Sequence, residues 1–151
     1  MAYLRVMEIR VARLNELPPG FETMSAAADR EGFAFVGRVA RRWRSGAYLD
    51  DSCATLQAAW VGGELAAIGA QSYDEYDPSP AHRRLRHFYV SPQWRRIGVG
   101  RVVAEALIED AFALAPRLHL RATRPLSAAF WDAMGFKRVE RADRTHEKVR
   151  A

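Results

Sequence analysis

The chain has 151 residues, of which 49% are hydrophobic and 27% charged, and this composition is typical of one globular domain. No apolar run approaches the roughly 20 residues that a membrane span needs, and residues 1–10 lack the apolar block of a signal peptide, so we expect a cytoplasmic protein with no membrane partner. The single cysteine, Cys53, excludes an internal disulfide, and no Cys/His group has ligand spacing, so no metal is expected.

The net charge of +5 comes almost wholly from arginine, because lysine occurs only at Lys137 and Lys148. A basic chain can bind nucleic acid, but no recognised nucleic-acid motif is present, so we do not expect that partner. The distribution of arginine is more informative than its total. Arginines cluster between an apolar run and a glycine-rich turn, at positions 83, 84, 86, 95, 96 and 101.

Hydrophobic periodicity predicts the elements of the first half. Residues 6–10 alternate as a strand does, a helical stretch is expected after them, and two helices are predicted over residues 21–30 and 33–44. Strands over residues 56–61 and 65–73 flank Gly62 and Gly63, which favour a hairpin because glycine accepts positive φ. An acidic, proline-bearing loop, residues 74–81, then leads into an apolar strand over residues 85–90.

The second half alternates helices and strands. A helical pattern starts near Gly98 and stops at Pro116, and a strand is predicted over residues 118–122. A short helix over residues 127–134 ends at Gly135, and residues 136–139 and 145–149 close the chain as strands. This order predicts a mixed α/β fold with one βαβ unit in the second half.

Residues 93–101 form an arginine-flanked Gly-x-Gly turn between a strand and a helix. Such a turn directs several backbone N–H groups at one point, with the helix dipole behind them, and therefore predicts an anion site, best suited to phosphate. A lone Gly-x-Gly also fits a plain helix start. No Gly-Lys-Ser/Thr follows, and the third glycine of a dinucleotide motif is missing, so the predicted ligand carries a pyrophosphate but is neither ATP nor NAD.

Two motifs together resemble the GNAT family of acyl-CoA-dependent N-acetyltransferases. The first is the strand end Phe88-Tyr89-Val90-Ser91-Pro92 followed by Arg95-Arg96-Ile97-Gly98-Val99-Gly100, and the second is Phe130-Trp131 followed by Gly135-Phe136. The resemblance implies one α/β domain over residues 1–151, with a mixed, largely antiparallel central sheet, a splayed strand pair and helices on both faces. Members of the family often form dimers, so a homodimer is among the expectations.

The resemblance also implies a function. It predicts transfer of an acetyl or another short acyl group from acetyl-CoA to the primary amine of a small molecule or peptide, by direct attack in a ternary complex. The alternative is a non-catalytic module that senses CoA or acyl-CoA. The residues that the resemblance assigns to acetyl-CoA are Phe88, Tyr89, Val90, Arg95, Arg96, Ile97, Gly98, Val99, Gly100, Arg101, Arg124 and Trp131.

The catalytic groups depart from the family pattern, because Trp131 stands where many members carry a tyrosine that protonates the leaving thiolate. Indole has no acidic hydroxyl, so Trp131 is expected to pack against the CoA arm or the core, and Tyr89 or solvent to supply the proton. Arg124 stands where the family often has asparagine. His87 is the candidate base, although strand alternation places it on the wrong face unless a bulge redirects it.

Arg84 and Arg86 occupy positions where many relatives place a histidine or glutamate base. A guanidinium group cannot act as a base at neutral pH, but it can bind a carboxylate or phosphate. If both arginines face the acceptor, the acceptor is anionic; otherwise they are surface residues. Glu64, Asp74 and Glu75 are weaker candidates for the base.

Overall fold

A single sheet of seven strands runs through the described part of the chain, residues 8–46 and 53–151 of a computed structural model. The strands are β1 (Ile9–Arg13), β2 (Thr55–Val61), β3 (Glu64–Tyr73), β4 (His82–Val90), β5 (Arg117–Leu120), β6 (Lys137–Arg138) and β7 (His146–Val149). They lie in the order β1-β2-β3-β4-β5-β7-β6. Within these residues β4 and β5 form the parallel pair and the other neighbours are antiparallel, so the predicted fold class is confirmed.

The helices cover both faces of this sheet. They are α1 (Phe21–Arg30), α2 (Phe35–Ser45), α3 (Val99–Phe112) and α4 (Pro125–Ala133). On one face, Val103 and Leu107 of α3 and Trp131 of α4 pack with Leu85 and Leu118 of the sheet. The opposite face carries a second core, in which α1 and α2 pack on β2, β3 and β4. Each fully buried aliphatic side chain contributes about 1.5–3 kcal/mol, so both helix layers are held mainly by apolar burial.

The N-terminal strand departs from its prediction. Within the described residues β1 begins at Ile9 and ends at Arg13, and a loop over residues 14–20 takes the place of the expected helix; residues 6 and 7 lie outside the described part. The cause is pairing with β2, in register from Ile9 opposite Val61 to Arg13 opposite Gln57. Strand pairing uses the backbone groups that a helix would need, and it overrides the local periodicity.

Other boundaries shift for local reasons. The second helix begins at Phe35 rather than residue 33, after a turn in which the Phe33 N–H donates to the Ala28 carbonyl. The last helix begins at Pro125 rather than residue 127, because proline suits the first turn of a helix. β4 begins at His82 rather than residue 85, since its polar first residues pair with β5.

A β-bulge in β4 separates two halves of that strand. Arg86 pairs with Ala70 and Tyr89 with Ile68, so Gly69 alone faces the two residues His87 and Phe88. His87 has a φ of 56°. A Cβ atom on Gly69 would lie 2.6 Å from the Leu107 side chain, so glycine is what lets α3 pack over the bulge.

Candidate functional site

The first component of the site is an unpaired edge of β4. Parallel pairing between β4 and β5 joins only residues 82–84 to residues 117–119. From Leu85 to Val90 the edge of β4 that faces away from β3 has no strand partner among the described residues. This is the splayed strand pair that the sequence predicted, and it leaves backbone donors and acceptors open to a ligand that binds as an added strand.

Hydrogen bonds show which backbone groups point to this open edge. The Ser91 N–H donates to the Ala66 carbonyl at 2.9 Å and is therefore turned toward β3. The Val90 carbonyl, on the other side of the same peptide, points to the open edge, where the Arg95 Nε donates to it at 3.0 Å. Strand geometry turns the Val90 N–H to the same side, so the residue offers one donor and one acceptor there.

The second component is the N-terminus of α3. Gly98 is the N-cap with a φ of 91°, and nothing lies within 4 Å of a Cβ atom placed on it. Its positive φ favours glycine, and the space in front of it is open to a ligand. Gly100 differs, because an added Cβ would lie 3.2 Å from Val90 and 3.5 Å from Phe130. Gly100 therefore permits close packing within the chain, whereas Gly98 leaves the helix terminus accessible.

Three arginines surround this helix terminus and are engaged to different degrees. Arg95 forms two hydrogen bonds of 2.8 Å with the Glu31 carboxylate. Arg101 contacts Glu105 at 3.1 Å in an exposed pair, and such pairs contribute little. Arg96 is exposed and has no acidic partner among the described residues. With no acidic residue in the first turn of α3, the local charge favours an anion.

Backbone strain also concentrates here. In residues 8–46 and 53–151 the two non-glycine residues with positive φ are His87, at 56°, and Arg96, at 66°. A left-handed conformation at a non-glycine residue costs on the order of 1 kcal/mol and persists where the surroundings impose it. Both residues lie in the strand and turn that the sequence assigned to the site.

Aromatic side chains line the strand on the α3 face. Phe88 stacks on Phe130 with ring centroids 5.3 Å apart, and both rings are half-buried. Trp131 meets Phe88 edge to face at 4.9 Å, also contacts Phe136, and is only 4% exposed. Trp131 was expected to pack either against the CoA arm or in the core, and in the structure it packs in the core. Phe88 and Phe130 are better placed to contact the apolar part of a ligand.

Arg124 connects the loop before α4 to the turn between α1 and α2. Its guanidinium carbon lies 3.9 Å from the centre of the Phe33 ring, a cation–π contact. Arg124 is the N-cap of α4 but makes no side-chain capping hydrogen bond. In the structure Arg124 thus packs on the turn between α1 and α2, and its assignment to acetyl-CoA stays a prediction.

His87 lies on the α2 face because of the bulge. Burial, the Arg86 charge and the α2 residues Arg42 and Arg38 together lower its pKa from 6.5 to about 3. The imidazole is thus neutral at physiological pH, which a base requires. An imidazole whose conjugate acid has so low a pKa is nevertheless a weak base. The bulge thus turns His87 to the face that the hypothesis of a catalytic base requires, but the surroundings of the imidazole limit its basicity.

Tyr89 donates its hydroxyl to Glu31 Oε1 at 2.6 Å. Burial and this hydrogen bond raise the pKa of the phenol above its usual value, while the hydrogen bonds from Arg95 lower the pKa of the Glu31 carboxyl. Tyr89 is protonated at neutral pH, but its proton is already shared with a carboxylate. Glu31, which joins α1, β4 and the turn, was missed by the sequence analysis because a single acid after a helix carries no distinguishing pattern.

Arg84 and Arg86 are both engaged with groups of their own chain. Arg84 is 7% exposed, donates to the Asp143 carbonyl at 2.7 Å and lies 3.6 Å from Asp74. Arg86 forms two hydrogen bonds with Glu75, of 2.9 and 2.6 Å. Each guanidinium therefore already has a partner within the chain, and an anionic acceptor, which would have to displace that partner, stays a prediction. The same contacts also engage Asp74 and Glu75, which were weaker candidates for the base.

The residues around the turn fit a pyrophosphate. The open space at Gly98, the exposed Arg96 and the helix terminus without acids are the features that a phosphate ligand requires.

No helix in the described residues is long and apolar enough to cross a membrane.

Comparisons with known proteins agree with this geometry. Residues 19–136 match a family model described as the acetyltransferase (GNAT) family. No curated protein matches the chain with significance. A protein from Exiguobacterium sp. 255-15, provisionally named an acetyltransferase, is 24% identical and superposes with a TM-score of 0.85, over 95% of this chain and 94% of that one.

Two further solved structures share the fold at lower identity. An acetyltransferase from Streptococcus agalactiae 2603 is 14% identical with a TM-score of 0.73, covering 94% of this chain and 98% of its own. An acetyltransferase from Thermus thermophilus is 16% identical with a TM-score of 0.69, covering 96% of this chain and 99% of its own. Each of these likenesses supports the fold alone.

Proposed function

Because the chain belongs to the acetyltransferase (GNAT) family, we propose that it transfers an acetyl group from acetyl-CoA to the primary amine of a small molecule or peptide, by direct attack in a ternary complex. The single observation that carries the proposal is the open edge of β4 running directly into the accessible N-terminus of α3. The open edge of β4 offers backbone hydrogen bonds to the extended pantetheine arm, and the N-terminus of α3 offers an anion site for the pyrophosphate.

The chain's own groups divide the work of binding. The pyrophosphate binds to the backbone N–H groups of the turn and to the Arg96 side chain. Arg95 adds a second guanidinium when it leaves Glu31 and binds the phosphate instead. Phe88, Phe130 and the Val90 backbone hold the pantetheine arm. Acetyl-CoA supplies the activated acetyl thioester. The Val90 N–H, fixed at the open edge, is positioned to donate to a carbonyl oxygen as negative charge develops on it.

Proton transfer relies on solvent more than on a strong side-chain base. His87 is a weak base and the Tyr89 proton is held by Glu31. The acceptor must therefore reach the site as a free amine, and below the amine's own pKa the concentration of that form rises about tenfold for each unit by which the pH increases. We expect log(kcat/KM) for the acceptor to rise with a slope near one until that pKa is reached.

Release of free CoA thiol is the direct test. Acetyl-CoA is incubated with amino acids, polyamines and short peptides as acceptors, and thiol is measured with a chromogenic reagent. Because Cys53 is exposed and would react with the reagent, Cys53→Ser is the working background. Thiol release that requires both the amine and the protein supports the proposal.

Arg96→Gln tests the assigned binding site, with Arg138→Gln as its matched control. Arg138 is an exposed arginine on the edge strand β6, paired with Asp132 and outside the turn before α3. A charge-assisted hydrogen bond contributes about 1.5–3 kcal/mol, so Arg96→Gln should raise the KM for acetyl-CoA about 10- to 100-fold while Arg138→Gln leaves it unchanged. Equal KM values in the two variants would contradict the assignment.

A non-catalytic acyl-CoA sensor is the second candidate, favoured by the buried Trp131 and the low pKa of His87. A sensor would be stabilised by acetyl-CoA, by about 2.7 kcal/mol at 100 times the dissociation constant, without releasing thiol for any amine. Thermal shift combined with thiol release therefore separates the two functions. If acetyl-CoA does not stabilise the chain, it is neither an acetyltransferase that uses acetyl-CoA nor an acyl-CoA sensor.

A further inference from the structure

Two histidines and several carboxylates meet beneath the loop between β3 and β4, at the end of β4 opposite the arginine turn. His82 begins β4, His119 lies on β5, Glu147 on β7, and Asp74 and Asp77 belong to the loop. One ligand atom from each of Asp77, His82 and His119 lies within 4.8 Å of the others. Three separate segments are brought together here, residues 74–82, β5 and β7, which explains why sequence spacing gave no sign of the cluster.

We propose that Asp77, His82, His119 and Glu147 bind one divalent transition metal ion, with zinc the best match. His82 Nδ1 is 2.9 Å from Asp77 Oδ2, and His119 Nε2 is 3.6 Å from Glu147 Oε1. Ligand atoms on a tetrahedral zinc ion, about 2.0–2.2 Å from the metal, stand about 3.4 Å apart. The ligand atoms of Asp77, His82 and His119, which lie within 4.8 Å of one another, would have to draw together, and Glu147 would have to turn from His119 toward them. Two imidazoles with two carboxylates select zinc-like ions over magnesium or calcium.

The orientation of His119 supports this assignment. Its Nδ1 is 2.9 Å from Asp74 Oδ2, and both side chains are almost fully buried. The Asp74 carboxyl also accepts the Tyr76 N–H at 3.1 Å and lies 3.6 Å from the Arg84 guanidinium, so it acts as an acceptor toward His119. Nδ1 therefore carries the proton and Nε2 presents its lone pair, the arrangement of a metal-binding histidine held by a carboxylate.

His82 adds an unsatisfied ligand atom. Its Nδ1 is buried and, among the described residues, makes no hydrogen bond of acceptable geometry despite its closeness to Asp77. A buried nitrogen without a hydrogen bond is destabilising, because it has lost its contact with water and gained no partner. Coordination would satisfy this atom.

The charge around the cluster is also suited to a dication. Four carboxylates, those of Asp74, Asp77, Asp143 and Glu147, face the two guanidinium groups of Arg84 and Arg144. Two negative charges are left over when both histidines are neutral. Arg144 already fixes Asp77 at 3.2 Å and Glu147 at 2.6 Å, and each carboxylate can accept further bonds.

The ion would have a structural role. β4 has nine residues at about 3.3 Å each, so the cluster lies about 25 Å along the strand from the arginine turn. A metal here would join the β3–β4 loop to three strands without touching the transferred group. The proposal is thus independent of the proposed function, and its test needs no activity measurement.

Zinc binding to the chelator-stripped protein is the test, with any purification tag removed and in the Cys53→Ser background so that the exposed thiol does not contribute. Isothermal titration should show one zinc ion per chain, and elemental analysis after dialysis should confirm that ratio. His82→Asn and Asp77→Asn, whose side chains are only partly buried, should each lower the affinity about 100-fold, since loss even of an outer-shell partner typically costs 10–100-fold.

Asp132→Asn is the matched control. Asp132 Oδ1 lies 2.9 Å from His146 Nε2, which forms another His–carboxylate contact but no larger cluster of ligands in the described residues. This variant should bind zinc within twofold of the parent. Absence of saturable binding in the parent would overturn the proposal, and so would binding that His82→Asn and Asp77→Asn leave unchanged.

Discussion

The two ends of β4 use arginine in opposite ways. At the first end, Arg84 is buried against Asp74 and the Asp143 carbonyl, and Arg86 is bound to Glu75. Beyond the last residue of the strand, Arg96 is exposed without an acidic partner in the described residues. The difference teaches that the position of acids, rather than the number of arginines, decides which cations remain available to a ligand.

The backbone follows the same division. The first end of β4 is paired on both edges, with β3 and β5, whereas the last residues are paired with β3 alone. The arginines and the main chain of β4 thus both have partners within the chain at the first end, whereas Arg96 and the main-chain edge are both available at the other end. Mutations should therefore affect stability at the first end and ligand binding at the second.

Asp74→Ala should give the largest effect. Asp74 is fully buried between His119 and Arg84, and removing one partner of a buried charged pair costs about 3–5 kcal/mol. We expect that loss in the free energy of unfolding by chemical denaturation, measured with chelator present. Glu105→Ala, which removes an exposed partner of Arg101, should cost less than about 1 kcal/mol. If both variants lost a similar amount of unfolding free energy, the proposed difference between the paired and the open end of β4 would be wrong.

Gly98→Asp should abolish most binding at the open end. It places a carboxylate at the anion site, where two like charges 4 Å apart repel by about 4 kcal/mol near a protein surface. Allowing for screening, we expect about 100-fold weaker binding of acetyl-CoA by calorimetry. Gly62→Asp is the control, because Gly62 also has positive φ and open space but lies in the β2–β3 hairpin. Equal affinity for acetyl-CoA in the two variants would contradict an anion site at Gly98.

His87 should make stability depend on pH. Its folded pKa of about 3 lies below the unfolded value near 6.5, so the unfolded chain binds more protons between these pH values. This contribution is fully present above pH 6.5 and is lost as the pH falls, by about 2 kcal/mol at pH 5. Comparing denaturation of the parent and His87→Gln at pH 7 and 5 isolates it. An identical pH dependence in both proteins would rule out the buried neutral histidine.

Arg86→Gln should have the smallest effect. Its guanidinium is held by Glu75, so the KM for the amine acceptor should change less than about threefold, corresponding to under 1 kcal/mol. Steady-state kinetics with the best acceptor of the panel tests this. A tenfold rise in that KM, with unchanged KM for acetyl-CoA, would support the hypothesis of an anionic acceptor.

Local signals made the turn and most elements predictable. Gly98 and its flanking arginines lie within a few residues of one another, as do the hairpin glycines and the helix that ends near Pro116. The partners of Arg84 and Arg86 were not predictable, because Asp74, Glu75 and Asp143 come from loops whose paths depend on the whole sheet. The bulge depends on Gly69 of the neighbouring strand and on Leu107 of α3, which no local pattern in β4 reveals.

The bulge has a consequence for how this strand tolerates change in length. Leu85, Phe88 and Val90 all contribute to the α3 core, an arrangement in which one extra residue stands between the first and the second. Deleting His87 would remove the extra residue and leave a regular strand in which Phe88 stands opposite Gly69, so Phe88 and Val90 would still face α3. A second extra residue between Arg86 and Phe88 would instead turn Phe88 and Val90 away from α3. Position 87 is therefore an inserted residue whose loss the strand register tolerates, and alignments of related chains should show gaps there more often than further insertions.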